Sequence, residues 1–180
     1  MITLSEKDCR IIEATVYYLE MHEKPTLRQQ PVEHISFELL PQPVEVNIYK
    51  KLYYDTGFVW NWLDRLVMDE LLLHGKINTA NIEIYKVVKE GVVAGFAEFM
   101  YEKNFTEIVY FGLMPAFTGK GIGKFFLDWV IQKAWENHPG WIQLNTCSLD
   151  HPNALKVYQS LGFKIIDTKK EQRKILVSAK

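Results

Sequence analysis

A glycine-rich segment between a predicted strand and a predicted helix constrains the fold more than any other feature of the sequence. The segment reads Thr-Gly-Lys-Gly-Ile-Gly-Lys over residues 118–124. It follows a run of strand-forming residues, Thr106 to Leu113, and a turn at Pro115. Beyond it, apolar residues recur every four positions, at Ile122, Phe126, Val130 and Ala134. That spacing predicts an amphipathic helix from Gly121 to His138, so the segment joins a strand to the beginning of a helix.

The chemistry of this segment favours a bound phosphate group. Gly119, Gly121 and Gly123 can adopt positive φ angles, and their backbone N–H groups can curl around oxyanions. The following helix directs the positive end of its dipole to the same place, and Lys120 and Lys124 add charge. Together these features predict a pyrophosphate site. A glycine-rich connection without a ligand is the alternative interpretation.

Two common phosphate-binding motifs do not match this segment. The nucleotide P-loop has the pattern G-x-x-x-x-G-K-[S/T], but around Gly123-Lys124 the sequence places Thr118 at the first glycine and Phe125 at the last position. The dinucleotide fingerprint G-x-G-x-x-G would need glycine at position 124, where the sequence has lysine. The segment therefore belongs to neither class.

A second motif lies in residues 146–163, which read Thr-Cys-Ser-Leu-Asp-His-Pro-Asn-Ala-Leu-Lys-Val-Tyr-Gln-Ser-Leu-Gly-Phe. Together with Gly121-Ile122-Gly123, this motif resembles the GCN5-related N-acetyltransferase (GNAT) superfamily. The G-x-G core matches the acetyl-CoA signature of that family. The later family pattern, Asn-x-x-Ala-x-x-x-Tyr-x-x-x-Gly-Phe, is matched at Ala154, Tyr158, Gly162 and Phe163. Thr118 stands where the family has Arg or Gln, and His151 stands where it has Asn.

The resemblance implies an acyltransferase that moves the acetyl group of acetyl-CoA to a primary amine. In the family, backbone amides of the glycine-rich loop hold the pyrophosphate, and main-chain groups at the end of the preceding strand hold the pantetheine arm. Carried over to this sequence, these roles fall on Phe111, Leu113, Thr118, Gly119, Lys120, Gly121, Ile122, Gly123, Lys124, His151 and, off register, Asn153. A coenzyme-binding module that regulates a partner without catalysis is the alternative function.

Acid–base roles follow from the chemistry of direct attack, in which the amine loses a proton and the departing thiolate gains one. Tyr158 matches the tyrosine that the resemblance implies is the general acid; a core tyrosine with a locally satisfied hydroxyl is the alternative. Glu107 is the predicted base, because histone acetyltransferases of this superfamily carry a glutamate at a similar distance before the glycines. Glu98 on the neighbouring predicted strand, or a water chain, could replace it. A solvated carboxylate at a strand edge is the structural alternative for Glu107.

The predicted fold is a single α/β (α+β) domain over residues 1–180, of the GNAT type, with a mixed central sheet of about six to seven strands flanked by helices. Residues Pro25 to Pro43 are interpreted as an extended connection. Strands are predicted at Ala14–Met21, Asn81–Lys89, Val92–Tyr101, Thr106–Leu113, Trp141–Cys147, Phe163–Asp167 and Lys174–Ser178. Helices are predicted at Val44–Tyr54, Asp69–Lys76, Gly121–His138 and Pro152–Leu161.

Composition sets limits on the partners. The formal charge is −1, which gives no general attraction to nucleic acid or to an anionic membrane. Cys9 and Cys147 are far apart, and neither they nor the histidines have metal-ligand spacing, so we expect no metal and a reduced, cytoplasmic protein. The acceptor is expected to be a small-molecule amine or a protein amine, and a homodimer is common in the family.

An aromatic segment at residues 58–65, Phe-Val-Trp-Asn-Trp-Leu-Asp-Arg, has two interpretations. Such clusters are most often core beneath a helix, and we favour that interpretation here. The alternative is that the segment lines an acceptor pocket, with Asp64 or Glu70 attracting a cationic amine.

Overall fold

The computed structural model describes residues 4–26 and 32–177. Seven strands form one mixed sheet in the order β2-β3-β4-β5-β6-β1-β7. Their bounds are β1 Cys9–Met21, β2 Ile35–Leu39, β3 Ile82–Lys89, β4 Val92–Tyr101, β5 Phe105–Leu113, β6 Trp141–Cys147 and β7 Lys164–Leu176. The predicted fold class, a single domain with a mixed sheet flanked by helices, is confirmed.

Helices cover both faces of the sheet because each face is apolar. Their bounds are α1 Val46–Gly57, α2 Asp64–Val67, α3 Glu70–Ile77, α4 Ile122–Ala134 and α5 Ala154–Ser160. One core cluster joins α4 to the sheet through side chains such as Phe126 and Val130, with α5 packed at its edge. The other joins α1, α2 and α3 to β3 and β4 through side chains such as Tyr49 and Phe96. The helix with apolar residues every four positions is therefore central, as the sequence predicts.

The interpretation of residues 25–43 as an extended connection is wrong in part. Residues 27–31 lie outside the described part of the chain, but Ile35–Leu39 forms β2 and pairs antiparallel with β3. Phe37 explains why this short strand holds its place, since its ring stacks on Trp129 of α4 with 4.0 Å between centroids. Ile35, Phe37 and Leu39 also alternate with two polar residues, a pattern typical of a strand that the interpretation as a connection overlooked.

The two predicted closing strands form a single strand, β7. It pairs antiparallel with β1 from Cys9↔Leu176 to Glu20↔Lys164, so the polar residues between the predicted strands are part of the ladder. Most of these residues are exposed, as is usual for a strand at the edge of a sheet, whereas Glu171 and Arg173 are half-buried. Ser178, the last residue of the predicted segment, lies outside the described residues.

The strand pair β5 and β6 separates soon after it begins, and this divergence creates the site. The two strands are parallel and pair only from Phe105↔Trp141 to Glu107↔Gln143, although β5 continues to Leu113 and β6 to Cys147. A register shift in the β4–β5 ladder, between Glu98 and Phe99, bends β5 at the same level. In the described part of the chain, no strand pairs with β5 on that side beyond Glu107, and a cleft opens there.

Candidate active site

A cavity of about 780 Å³ occupies the cleft between β5 and β6. Its walls come from β5, β6, the glycine-rich loop, the segment from α1 to α2, and the segment leading into α5. Among the predicted site residues, it is lined by Glu107, Phe111, Leu113, Thr118, Gly119, Gly121, Gly123, Lys124, His151, Asn153 and Tyr158. The topology thus brings both sequence motifs to one place.

The glycine-rich loop has the geometry of an anion cradle. Gly119 and Gly121 have φ angles of +74° and +78°, which strain any other residue, and a Cβ at either position would meet nothing within 4 Å. Gly121 is the N-cap of α4, and no side chain caps that helix. The first N–H groups of the helix, from Gly121 to Lys124, therefore lack intrahelical partners and stand at the positive end of the dipole. This open cradle fits a pyrophosphate.

Three residues of the loop have side chains that are engaged within the fold. The Thr118 N–H and hydroxyl both donate to the Pro115 carbonyl, at 3.2 and 2.8 Å, so this residue closes the turn before the loop. Ile122 is buried in the core, and the Lys120 ammonium lies over the Phe117 ring. Neither side chain lines the cavity. Of the two lysines, Lys124 is the one that does.

Main-chain groups at the end of β5 face the cleft. The Met114 N–H donates to the Ala94 carbonyl at 2.8 Å, so Met114 bonds on the β4 side. Successive residues of an antiparallel strand bond to opposite edges, which directs the N–H and C=O groups of Leu113 and Phe111 towards β6. At this level β6 has already diverged. An extended ligand can therefore take the place of the missing strand.

His151 and Asn153 lie at the exposed mouth of the cavity, before α5. The Asn153 N–H donates to His151 Nδ1 at 3.1 Å, so this nitrogen is an acceptor and the proton of the neutral ring is on Nε2. The His151 ring also meets Trp60 edge-to-face, with 5.0 Å between centroids. His151 thus organises the turn into α5, a role that does not depend on the coenzyme.

Tyr158 lies on the wall formed by α5. Its ring packs against Phe111 and Phe163, and its hydroxyl has no hydrogen bond with any described residue. Burial is the main cause that raises the pKa of this phenol well above its usual value, and the nearby Asp150 carboxylate acts in the same direction. The hydroxyl is therefore protonated at neutral pH and can act as a proton donor in the cavity.

Glu107 and Glu98 occupy different environments, although the sequence offers both as a base. Glu107 lies where β5 and β6 part, accepts from Gln143 Nε2 at 3.4 Å, and lines the cavity. Burial raises the pKa of its carboxyl. Glu98 is fully buried and does not line the cavity; it accepts from Tyr49 Oη at 2.5 Å and from Arg65 Nη2 at 3.1 Å. Glu98 is therefore a core residue of an ion pair.

The aromatic segment at residues 58–65 contributes to the cavity more than the favoured core interpretation predicts. Trp60, Asn61, Trp62 and Asp64 line the cavity, whereas Leu63 and Arg65 are buried. Arg65 pairs with Glu98, and Asp64 pairs with Lys174 at 3.2 Å, so the adjacent Asp64 and Arg65 do not form an ion pair with each other. Glu70 does not line the cavity. The sequence signal for a cavity lining here is that Asn61 lies between Trp60 and Trp62, because asparagine is seldom buried in a core.

Other groups near the cavity add no further chemistry. Cys147 lines it, and burial raises the pKa of its thiol, which disfavours a reactive thiolate. Within residues 4–26 and 32–177, no group of three or more His, Cys, Asp or Glu side chains could hold a metal ion. Over the same residues, no helix has the length and apolarity needed to cross a membrane.

Comparison with protein-family models shows which family the chain belongs to. A family model described as Acetyltransferase (GNAT) family matches residues 46–163, which is more than half of the chain. The chain belongs to the GNAT acetyltransferase family. The predicted resemblance is confirmed. The comparison with curated proteins found no match.

Solved structures share the GNAT fold with this chain. A GCN5-related N-acetyltransferase from Sphaerobacter thermophilus has a TM-score of 0.64 at 11% identity, covering 95% of this chain and 54% of its own. A GCN5-related N-acetyltransferase from Kribbella flavida has a TM-score of 0.57 at 13% identity, and the match covers 97% of this chain and 62% of that protein. An aminoglycoside acetyltransferase from a soil metagenome, in complex with sisomicin, has a TM-score of 0.56 at 16% identity. The match covers 71% of this chain and 87% of that protein. The chain spans less than two thirds of the first two proteins.

Proposed function

We propose that this GNAT protein transfers the acetyl group of acetyl-CoA to a primary amine. The observation that carries the proposal is that three features lie around one cavity: the open helix terminus of α4, the protonated phenol of Tyr158 and the half-buried carboxyl of Glu107. A regulatory module that only retains the coenzyme would need the first feature alone.

The coenzyme would lie along the cleft from the α4 terminus to the parting of β5 and β6. The amides of Gly119 to Lys124 would hold the pyrophosphate, assisted by the Lys124 ammonium. Main-chain groups of Leu113 and Phe111 would bond the pantetheine arm as an added strand bonds a sheet edge. This arrangement points the thioester end towards Tyr158 and Glu107.

The residues at that end would divide the proton transfers between them. Glu107, when ionised, accepts a proton from the amine, directly or through water, and the amine nitrogen forms a bond with the acetyl carbon. The carbon–sulfur bond breaks, and Tyr158 donates its proton to the departing thiolate. Burial raises the pKa of Glu107 in the direction of neutral pH. A carboxyl with such a pKa is a stronger base than an ordinary one, and it can still ionise at the working pH.

The acceptor would enter from the side of the cavity lined by residues 53–64. Small-molecule amines and protein amines both remain acceptors under this proposal, and the sisomicin complex shows that one related fold accommodates an amine-bearing antibiotic. A cytoplasmic location and a homodimer, both expected from the sequence, also remain predictions.

A glycine pair in this chain gives a matched test of coenzyme binding. Gly121 and Gly91 share a φ angle of +78° and open space around the Cβ position, but Gly91 lies in the β3–β4 turn, away from the cavity. Gly121→Ala and Gly91→Ala should therefore lose similar stability, about 1 kcal/mol each. Only Gly121→Ala should weaken acetyl-CoA binding, by about 10-fold in calorimetry, which corresponds to about 1.4 kcal/mol.

Turnover is followed as free thiol released from acetyl-CoA in the presence of amines. Saturable binding of acetyl-CoA with amine-dependent thiol release supports the enzyme. Absence of saturable binding to the folded protein, or equal loss of binding in both glycine variants, contradicts the proposed site. Binding without thiol release for any amine favours the regulatory module.

A further inference from the structure

Four aromatic side chains line one part of the cavity. Tyr53, Trp62 and Tyr110 contact one another, with centroid separations of 5.5 Å for Tyr53–Trp62, 5.1 Å for Trp62–Tyr110 and 5.0 Å for Tyr53–Tyr110. Trp60 stands at the mouth beside His151. We call these four rings the aromatic wall. All four border the cavity, but Tyr53 is 1% exposed and supports the others, so a ligand against the wall would meet the rings of Trp60, Trp62 and Tyr110.

The aromatic wall is held in a fixed position. The ring of Trp62 fits against the end of α1, where a Cβ on Gly57 would lie only 2.1 Å from it. Its indole N–H donates to Asp150 Oδ1 at 3.1 Å, which ties the wall to the segment after β6. A preorganised ring surface of this kind binds a planar apolar group without paying to order its own side chains.

The carboxylates of the cavity already have partners in the protein. Asp150 accepts from Trp62 Nε1, from Thr146 Oγ1 at 2.8 Å and from the Cys147 N–H at 2.8 Å. Asp64 pairs with Lys174. Glu107 is assigned to the reacting amine. Asp64, Asp150 and Glu107 are the only carboxylates among the described residues that line the cavity. Each already accepts hydrogen bonds or pairs with a cation, so a second or third ammonium group would have to compete with these partners.

We propose that the acceptor is a primary monoamine with an aryl body, and that polycationic amines are poor acceptors. This inference rests on the proposed acetyl transfer and names the substrate class of the same site. The aryl group would pack against the aromatic wall with its amine directed at Glu107. A polyamine or an aminoglycoside would place extra charges against rings and engaged carboxylates, where their lost hydration is not replaced.

Four amines distinguish the possibilities. Phenethylamine and ethylamine differ only by the phenyl group, whereas spermidine and sisomicin are polycations. With acetyl-CoA saturating, kcat/KM for phenethylamine should exceed that for each of the other three by about 10-fold or more, because burying a phenyl ring is worth at least that factor. Equal or higher kcat/KM for ethylamine, spermidine or sisomicin overturns the inference.

A variant of the wall tests the same contact. Trp60→Ala removes a half-buried ring at the mouth, and Val59→Ala trims its exposed neighbour, which does not line the cavity. Trp60→Ala should lower kcat/KM for phenethylamine by about 10-fold with little change for ethylamine. Val59→Ala should change neither. An equal loss for both amines in Trp60→Ala would contradict an aryl contact.

Binding measurements separate failure of this inference from failure of the proposed function. Calorimetry with phenethylamine and with spermidine, each in the presence of coenzyme A, reports on the acceptor half without turnover. Tighter binding of phenethylamine supports the aryl acceptor even if thiol release is absent. Equal or tighter binding of spermidine, or no saturable binding of either amine, overturns it. If spermidine or sisomicin is the better substrate, acetyl transfer stands and only the substrate class is wrong.

Discussion

At the scale of single residues, Tyr158 and Glu107 hold their protons differently although burial raises the pKa of both. For the phenol, the shift keeps the group protonated far above neutral pH. For the carboxyl of Glu107, which is ordinarily ionised at neutral pH, the shift moves the pKa closer to neutral pH. One cavity is thus lined both by a group that can donate a proton and by a group that can accept one, and the proposed acetyl transfer would use both.

Substitution of Tyr158 tests the donor. Tyr158→Phe keeps the packing on Phe111 and Phe163 but removes the proton, so we expect kcat to fall by about 100-fold. The acetyl-CoA dissociation constant, measured by calorimetry, should stay within about twofold. Tyr54→Phe, which removes a hydroxyl from a ring that does not line the cavity, is the control. Unchanged kcat in Tyr158→Phe would remove the assigned role.

Substitution of Glu107 should raise stability and lower activity. Because burial raises the pKa of this carboxyl above its unfolded value, its contribution to stability is complete below the unfolded pKa and is lost as pH rises through the folded pKa. Glu107→Gln should therefore be at least as stable as the parent at about pH 8, with no such advantage at about pH 4, when followed by urea unfolding.

Activity gives the second readout for the same variant. In the parent, kcat/KM should rise with pH as Glu107 ionises, and Glu107→Gln should lose this rise and about 100-fold in kcat. Glu13→Gln, an exposed change on β1, should alter neither profile. If the rise with pH persists in Glu107→Gln, another group or water is the base.

Positions on the cavity were predictable from sequence only where a motif covers them. Gly121 and Tyr158 match a family pattern by their spacing, and both line the cavity. The pairing of Arg65 with Glu98, and of Trp62 with Asp150, joins residues far apart in the chain. No local pattern encodes such contacts.

At the scale of elements, the meander β3-β4-β5 and helix α4 were predictable because local periodicity and short turns determine them. The position of β1 was not. The first strand of the chain lies between β6 and β7, antiparallel to both. Strand order depends on side-chain packing between distant segments, and the sequence pattern of β1 would suit other positions in the sheet equally well.

A pair of substitutions on β1 tests whether this strand is part of the core. Leu19 is 1% exposed and lies opposite Leu144 of β6, whereas Ile11 near the other end is 61% exposed. Leu19→Ala should lower the free energy of unfolding by about 2–5 kcal/mol, through lost burial and a cavity. Ile11→Ala should stay within about 0.5 kcal/mol of the parent. Equal effects of the two changes in urea unfolding would contradict the position of β1.

At the scale of the whole molecule, the sheet consists of two parts joined at the β5–β6 seam. One part is β2-β3-β4-β5, and the other is β6-β1-β7. Only three residue pairs join the two parts along the ladder, and the cleft opens directly above them. A ligand that bonds to β5 and reaches the segment before α5 would therefore stabilise the weakest junction in the sheet.

Hydrogen exchange gives a direct test of this coupling. Acetyl-CoA at about 100 times its dissociation constant should stabilise the folded state by about 2.7 kcal/mol, because it binds only that state. Local protection should exceed this general effect in residues 109–113 and 118–124, where amides bond the ligand, and in residues 144–147 across the seam. The outer strands β2 and β7 make no contact with the cleft apart from Arg173, so their fast-exchanging amides should change little. Uniform protection of all strands, or none in residues 118–124, would show that the ligand does not bridge the seam.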